Sequence, residues 1–165
     1  MFELKPLSKE AIPKALEKAE RYRLLNEPRV AESICRDVLQ TDPDNQQAIV
    51  MLVLALTDQF GNTVSLGAKE VMQEISKLKD EYERAYYTGI VYERRAKARL
   101  NMGMHGSDHD AYELLEDAME WFEKAEAIHP AGNEDAILRW NTCARIITQN
   151  KLRPRGEDDF RPYLE

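Results

Sequence analysis

The chain has 165 residues, 43% apolar and 32% charged, the profile of one compact domain; at this length folding buries roughly two thirds of the unfolded chain's surface, so a core needs no disulfide or metal staple. A formal net charge of −7, from 23 Lys and Arg against 30 Asp and Glu, opposes the basic field that nucleic acid or an anionic membrane attracts. The longest apolar run, Ala48 to Leu56, is about half a bilayer span, and Met1 to Pro13 lacks a signal peptide's apolar stretch, so a cytoplasmic protein with no nucleic-acid or membrane partner is expected.

Strand signals are almost absent; apolar residues recur at helical spacing instead, and an all-α fold is expected. A first helix should run from about Ser8, a good N-cap, to about Leu25, with Pro13 near enough its start for the missing N–H to be tolerated. Asn26-Glu27-Pro28 ends it, and Pro28 opens a second helix to about Thr41, with Val30, Ala31, Ile34, Cys35, Val38 and Leu39 on one face. A third, from about Asp44 to Phe60, is apolar on nearly all sides through its centre, which demands neighbours on more than one side. Gly61-Asn62 stops it, and a fourth follows from about Ser65 to Leu78.

The fifth helix, about Asp80 to Met102, should pack through Tyr82, Ala85, Tyr86, Gly89, Ile90, Tyr92 and Ala96 and leave Glu93 to Arg99 largely solvated. Gly103 to Ser107 ends it; Ser107 or Asp108 can cap a sixth helix to Ile128, whose buried stripe is Leu114, Leu115, Ala118, Phe122, Ala125 and Ile128. After Pro130 and Gly132, Asn133 is the expected cap of a seventh helix to Gln149, with Ile137, Trp140, Ala144 and Ile147 inward. Residues 1–150 then form one helical domain. Residues 151–165 are a tail, either disordered or docked by Phe160, Tyr163 and Leu164.

Catalytic and metal motifs are missing. Cys35 and Cys143 stand at apolar helix positions without CxxC or Cys/His spacing and read as buried, inert thiols. His105 and His109 are four apart, but Gly106 and Ser107 interrupt the helix that would align them. Glu126-x-x-His129 has the spacing of a di-iron helix bundle without the second copy such a site needs. With no GxSxG, P-loop or GxGxxG, the expectation is a non-enzyme without cofactor or metal.

Two stretches repeat an order of residue types. Ala19-x-x-Tyr22, Ala31-x-x-x-Cys35-x-x-Val38 and Asp42-Pro43 correspond to Gly89-x-x-Tyr92, Ala118-x-x-x-Phe122-x-x-Ala125 and His129-Pro130. At these residues the chain resembles the tetratricopeptide repeat family, in which small and large residues at set places let two antiparallel helices nest. Residues 12 to 45 keep the family spacing. The middle pair, about Gln46 to Lys79, keeps Leu52 and Leu56 but has Lys79-Asp80 in place of the proline, and about seventeen residues are added between Tyr92 and Ala118. The resemblance implies antiparallel helix pairs stacked as a short right-handed solenoid of about seven helices, the last capping the stack.

It also implies a concave groove lined by each pair's first helix. The family's groove positions fall on Leu16, Glu20 and Arg23 of the first helix and Val50 and Leu54 of the third. Tyr86, Ile90, Glu93 and Arg94 follow on the fifth, and Asn141 and Arg145 on the seventh. An apolar floor with Arg and Tyr contacts suits a peptide or helix of a protein partner, so a non-catalytic adaptor is the leading expectation. The alternative is a self-assembling protein, a homodimer, whose groove is sealed by its own tail. Glu113, Glu116, Asp117, Glu120, Glu123 and Glu126 make the sixth helix acidic, and the basic Arg94, Arg95, Lys97 and Arg99 of the fifth are expected to pair with it.

Overall fold

The computed structural model describes residues 1–61 and 67–156, and among them every regular element is a helix. After a 3-10 turn at Lys9–Ala11 come α1 (Ile12–Leu24), α2 (Pro28–Thr41), α3 (Gln46–Thr57), α4 (Ala68–Ile75), α5 (Glu81–Met102), α6 (Ser107–Ala127) and α7 (Asp135–Gln149). Local chemistry sets most boundaries. Pro13 and Pro28 occupy the first turns of α1 and α2, where a missing N–H costs nothing. Asn45 accepts from the Ala48 N–H at 2.9 Å, and Asp80 from the Tyr82 N–H at 2.8 Å. Asn26, at φ 60°, makes the left-handed turn between α1 and α2, a conformation its short amide side chain tolerates.

Some expected boundaries move. Ser8 makes no capping bond, because the chain enters α1 through the 3-10 turn. At α6 the left-handed Gly106 occupies the cap and Ser107 is already helical. Asn133 does accept from the Asp135 N–H, at 3.1 Å. Residues 62–66, with the expected start of the fourth helix at Ser65, and residues 157–165, with the expected docking residues Phe160, Tyr163 and Leu164, lie outside the described residues.

Contacts between helix ends give the directions. Thr41 Oγ1, ending α2, donates to the Leu7 carbonyl just before α1 (2.8 Å), and Gln59, just past α3, donates to Glu32 near the start of α2 (2.8 Å). Arg23 at the end of α1 meets Asp58 at the end of α3 (2.7 Å), while Tyr82 and Asn133, near the starts of α5 and α7, meet at 3.3 Å. At the other end His109 in the first turn of α6 lies 3.0 Å from the Arg153 carbonyl beyond α7. Neighbours in sequence are therefore antiparallel, and α1, α3, α5 and α7 all run one way. Besides each helix packing on the next, α1 touches α3 and α3 touches α5.

Two main cores result. Ala19, Ala31, Cys35, Ile49, Leu52, Leu56, Val71 and Ile75 fill the space among α1 to α4; Ala85, Ala96, Leu115, Ala118, Phe122, Ala125 and Cys143 fill that among α5 to α7. Tyr87 touches both. α5 and α6 approach closely at Gly89, where the ring of Phe122 sits in the place of the missing side chain.

Three expectations about burial are corrected. Val30 is 37% exposed, at the edge of the α2 face, and Ile128, the expected last residue of the α6 stripe, is 43% exposed just past the helix end. The stretch from Glu93 to Arg99 is not largely solvated: Glu93 and Ala96 are both 0% exposed because α6 and α7 cover that side of α5. The tail begins docked, since Leu152 joins the second core and Arg155 pairs with Asp110 at 2.5 Å.

Candidate functional site

The first turns of α1, α3 and α5 enclose a depression of about 550 Å³. Its floor is apolar: Leu16, nearly buried, lies with the half-buried Val50 and Met51. Its rim is carboxylate and amide, from exposed Glu17, Glu20 and Gln47 with half-buried Gln46 and Glu83. Burial and the neighbouring Asp80 charge hold the Glu83 carboxyl above its ordinary pKa. Three residues expected in a groove, Leu16, Glu20 and Val50, are thus brought together.

Two more, Arg23 and Arg94, meet at the far ends of the same helices. Asp58 accepts from Arg23 Nε at 2.7 Å and Nη2 at 3.4 Å, and from Arg94 Nη1 at a short distance. The same Arg94 nitrogen donates to the Leu54 carbonyl at 3.0 Å and to Thr57 Oγ1 at 2.7 Å. The Leu54 carbonyl already accepts from the Asp58 N–H at 2.9 Å, so the guanidinium adds a second donor there and a positive charge at the negative end of the α3 dipole. Burial lowers the Arg94 pKa, and the Asp58 charge opposes that shift. Leu54 is present mainly through its carbonyl; its side chain packs on the second core.

The remaining expected residues divide. Ile90 is 1% exposed and belongs to the core. Tyr86 is half-buried, stacked on Tyr82 with ring centres 5.7 Å apart and edge-on to Tyr87 at 5.1 Å. Asn141 is half-buried and Arg145 exposed on α7, and neither lines the depression. Glu93 is fully buried between α5 and α7, its Oε2 accepting from Arg139 at 3.3 Å and Lys97 Nζ standing 3.4 Å from Oε1, which takes no hydrogen bond from any described residue. Burial works against the Arg139 cation, but hydrogen bonding to Tyr86 and the Glu93 charge outweigh it and raise its pKa.

A buried carboxylate so loosely held depends on its cations. Arg139→Leu is expected to destabilise the protein by about 2 kcal/mol in urea unfolding at neutral pH, and adding Glu93→Gln to recover about half, because the uncompensated charge is then gone.

Sequence reasoning missed Glu17, Gln47 and Glu83 on the rim, Asp58 as the partner of Arg23 and Arg94, and Arg139 as the partner of Glu93. Glu17 was findable, three residues before Glu20 on one helix face; Asp58 was not, since it joins helices distant in sequence. The expected pairing of the basic half of α5 with α6 is also corrected: Arg94 goes to Asp58 and Lys97 to Glu93, while Arg95 lies over the Tyr92 ring at 5.7 Å, and its charge only opposes the rise that burial and Glu120 give the Asp117 pKa. A second depression, about 610 Å³, lies between α4, α5 and α6, with Met72, Ile75, Trp121 and Ile128 in its lining.

Among the described residues no group of three His, Cys, Asp or Glu is placed to hold a metal, and no helix is long and apolar enough to cross a membrane. No protein-family model matches the chain, and no curated protein or solved structure matches it either.

Proposed function

We propose that this chain is a non-catalytic protein-interaction module, a short tetratricopeptide-like stack of helix pairs that holds a peptide or helix of a partner in the depression along α1, α3 and α5. The observation that carries the reading is that depression: an apolar floor at Leu16, Val50 and Met51 inside a polar rim, on helices that run in one direction. Apolar anchors would supply affinity and the polar rim register. Catalysis has no comparable support.

Capture of a partner from lysate by the wild-type chain and by a Glu20→Lys/Gln47→Arg variant tests it. Both side chains are exposed, so the variant should unfold within about 0.5 kcal/mol of wild type. Loss of a specifically captured protein with unchanged stability supports the reading; unchanged capture overturns it. Tyr86 and Arg94 are poorer probes, because each supports its neighbours in the fold.

A self-assembling role is the second reading. It is favoured by apolar side chains left outside, Phe2 and Leu4 at 101% and 89% exposure and Leu24 at 80%. Light scattering on the full chain and on residues 1–156 separates the two, a dimer lost on truncation being the mark of assembly through the tail.

A further inference from the structure

Charge is sorted along the face just described. On α1, Glu17 and Glu20 precede Arg23; on α5, Glu83 precedes Arg94; on α7, Asp135 precedes Arg139. On α1 and α5, which run the same way, carboxylates stand near the starts and guanidiniums further along; on α7, Arg139 follows Asp135 by a single turn. The central helix, α3, contains no charged residue, and Asp58 just beyond it is taken up by Arg23 and Arg94. The charges act on one another across helices: those of Glu83 and Asp135 both reach Tyr87, and those of Arg23 and Arg139 both reach Arg94.

Among the described residues, nearby cations do not neutralise the acidic end. Lys14 and Lys18 of α1 are outside the depression, and Arg84 of α5 turns to the Leu78 carbonyl at 2.7 Å, lining the other depression instead. Like charges held together weaken a free surface and are relieved when an opposite charge arrives. Among the described residues the arginine end retains an excess as well, with Arg23, Arg94, Arg139 and Lys97 gathered around Asp58 and Glu93.

We propose that the occupant of this groove is a helical segment with segregated charge, its Lys or Arg residues over Glu17, Glu20 and Glu83, its carboxylates over Arg23 and Arg94, and apolar residues between them. This rests on the interaction-module reading and adds the chemistry and direction of the partner. At 1.5 Å per residue, Glu17 to Arg23 spans about 9 Å and Glu83 to Arg94 about 17 Å, so the partner's charged ends stand about 6 to 11 residues apart. A helix with acidic residues in its first turns and basic residues in its last has the favoured arrangement for its own dipole. Laid with its basic end on Glu17 and Glu20, it runs antiparallel to α1 and α3.

Two synthetic amphipathic peptides of about 18 residues, about 27 Å as helices, provide the test. They share composition and leucine positions; one has Glu in its first half and Lys in its second, the other has the two interspersed. Fluorescence anisotropy with the full chain at about 50 mM salt, where screening is weak, is expected to show the segregated peptide binding about tenfold tighter. The Glu17→Lys/Glu20→Lys variant should bring the two within about twofold of each other at an unchanged melting temperature. Equal binding of both peptides by wild type overturns the charge assignment while leaving a groove that binds helices. Failure of both to bind also overturns it, and the lysate capture above then judges the module reading separately.

Discussion

Replacing Gly89 with alanine is expected to lower the melting temperature by about 6 to 10 °C, although alanine is the better helix former. A Cβ built at this position falls 2.5, 2.7 and 2.9 Å from three ring carbons of Phe122. That ring is 0% exposed and lies 5.9 Å from the centre of Tyr86, so it cannot swing aside into solvent. The two helices must then separate, at about 3 to 4 kcal/mol for overpacking at this closeness. Alanine's propensity gain of about 1 kcal/mol offsets only part of that, leaving a net loss of about 2 to 3 kcal/mol. A Gly89→Ala/Phe122→Leu double variant should be more stable than the sum of the two single changes by about 1 kcal/mol or more, because the smaller side chain makes room for the new methyl. Thermal unfolding of the four proteins decides it. A neutral or stabilising Gly89→Ala would mean that α5 and α6 do not approach this closely.

The same pair shows how much of the fold was legible. Gly89 and Phe122 stand at corresponding places to Ala19 and Cys35, so the alternation of small and large residues pointed to nesting helices before any contact was known. Helix existence followed from apolar periodicity, and α2 begins and ends where Pro28 and Thr41 suggested. Periodicity cannot say which flank of a long helix a neighbour will cover. Glu93 illustrates the gap: within Glu93 to Arg99, a run rich in charge, sequence reasoning assigns it to solvent, whereas α6 and α7 bury it and Arg139 and Lys97 stand beside it. Of the expected groove residues, Leu16, Glu20 and Val50 meet because they occupy the starts of adjacent helices. Ile90 does not join them, since one residue of helical rotation moves a side chain by about 100° and here turns it inward. The acid-to-base order on α1 is visible in the sequence, but it gains meaning only when α5 and α7 are known to run parallel to it.

Raising the pH above 9 is expected to destabilise the protein steeply, with the two cysteines carrying much of the effect. Cys35 and Cys143 are both 0% exposed, and burial pushes each thiol from its ordinary 9.0 up to about 12. Below pH 9 the thiol is protonated in folded and unfolded chains alike, and nothing is lost. Between 9 and about 12 the unfolded chain gives up protons that the folded one keeps; the folded state binds more protons, so its stability falls as pH rises. Each thiol contributes about 1.4 kcal/mol per pH unit in that window, so about 4 kcal/mol is lost from the pair by about pH 10.5. Tyr87, pushed by burial from 10.0 up to about 12, acts in the same direction above pH 10. The thiol share is read by comparison with a Cys35→Ala/Cys143→Ala variant. That variant should start less stable at neutral pH, because each change removes a buried sulfur, and should then lose stability with pH much more slowly. Urea unfolding at about pH 7.5, 9 and 10.5 gives both slopes. Equal slopes would mean that the thiols ionise as readily in the folded chain as in the unfolded one.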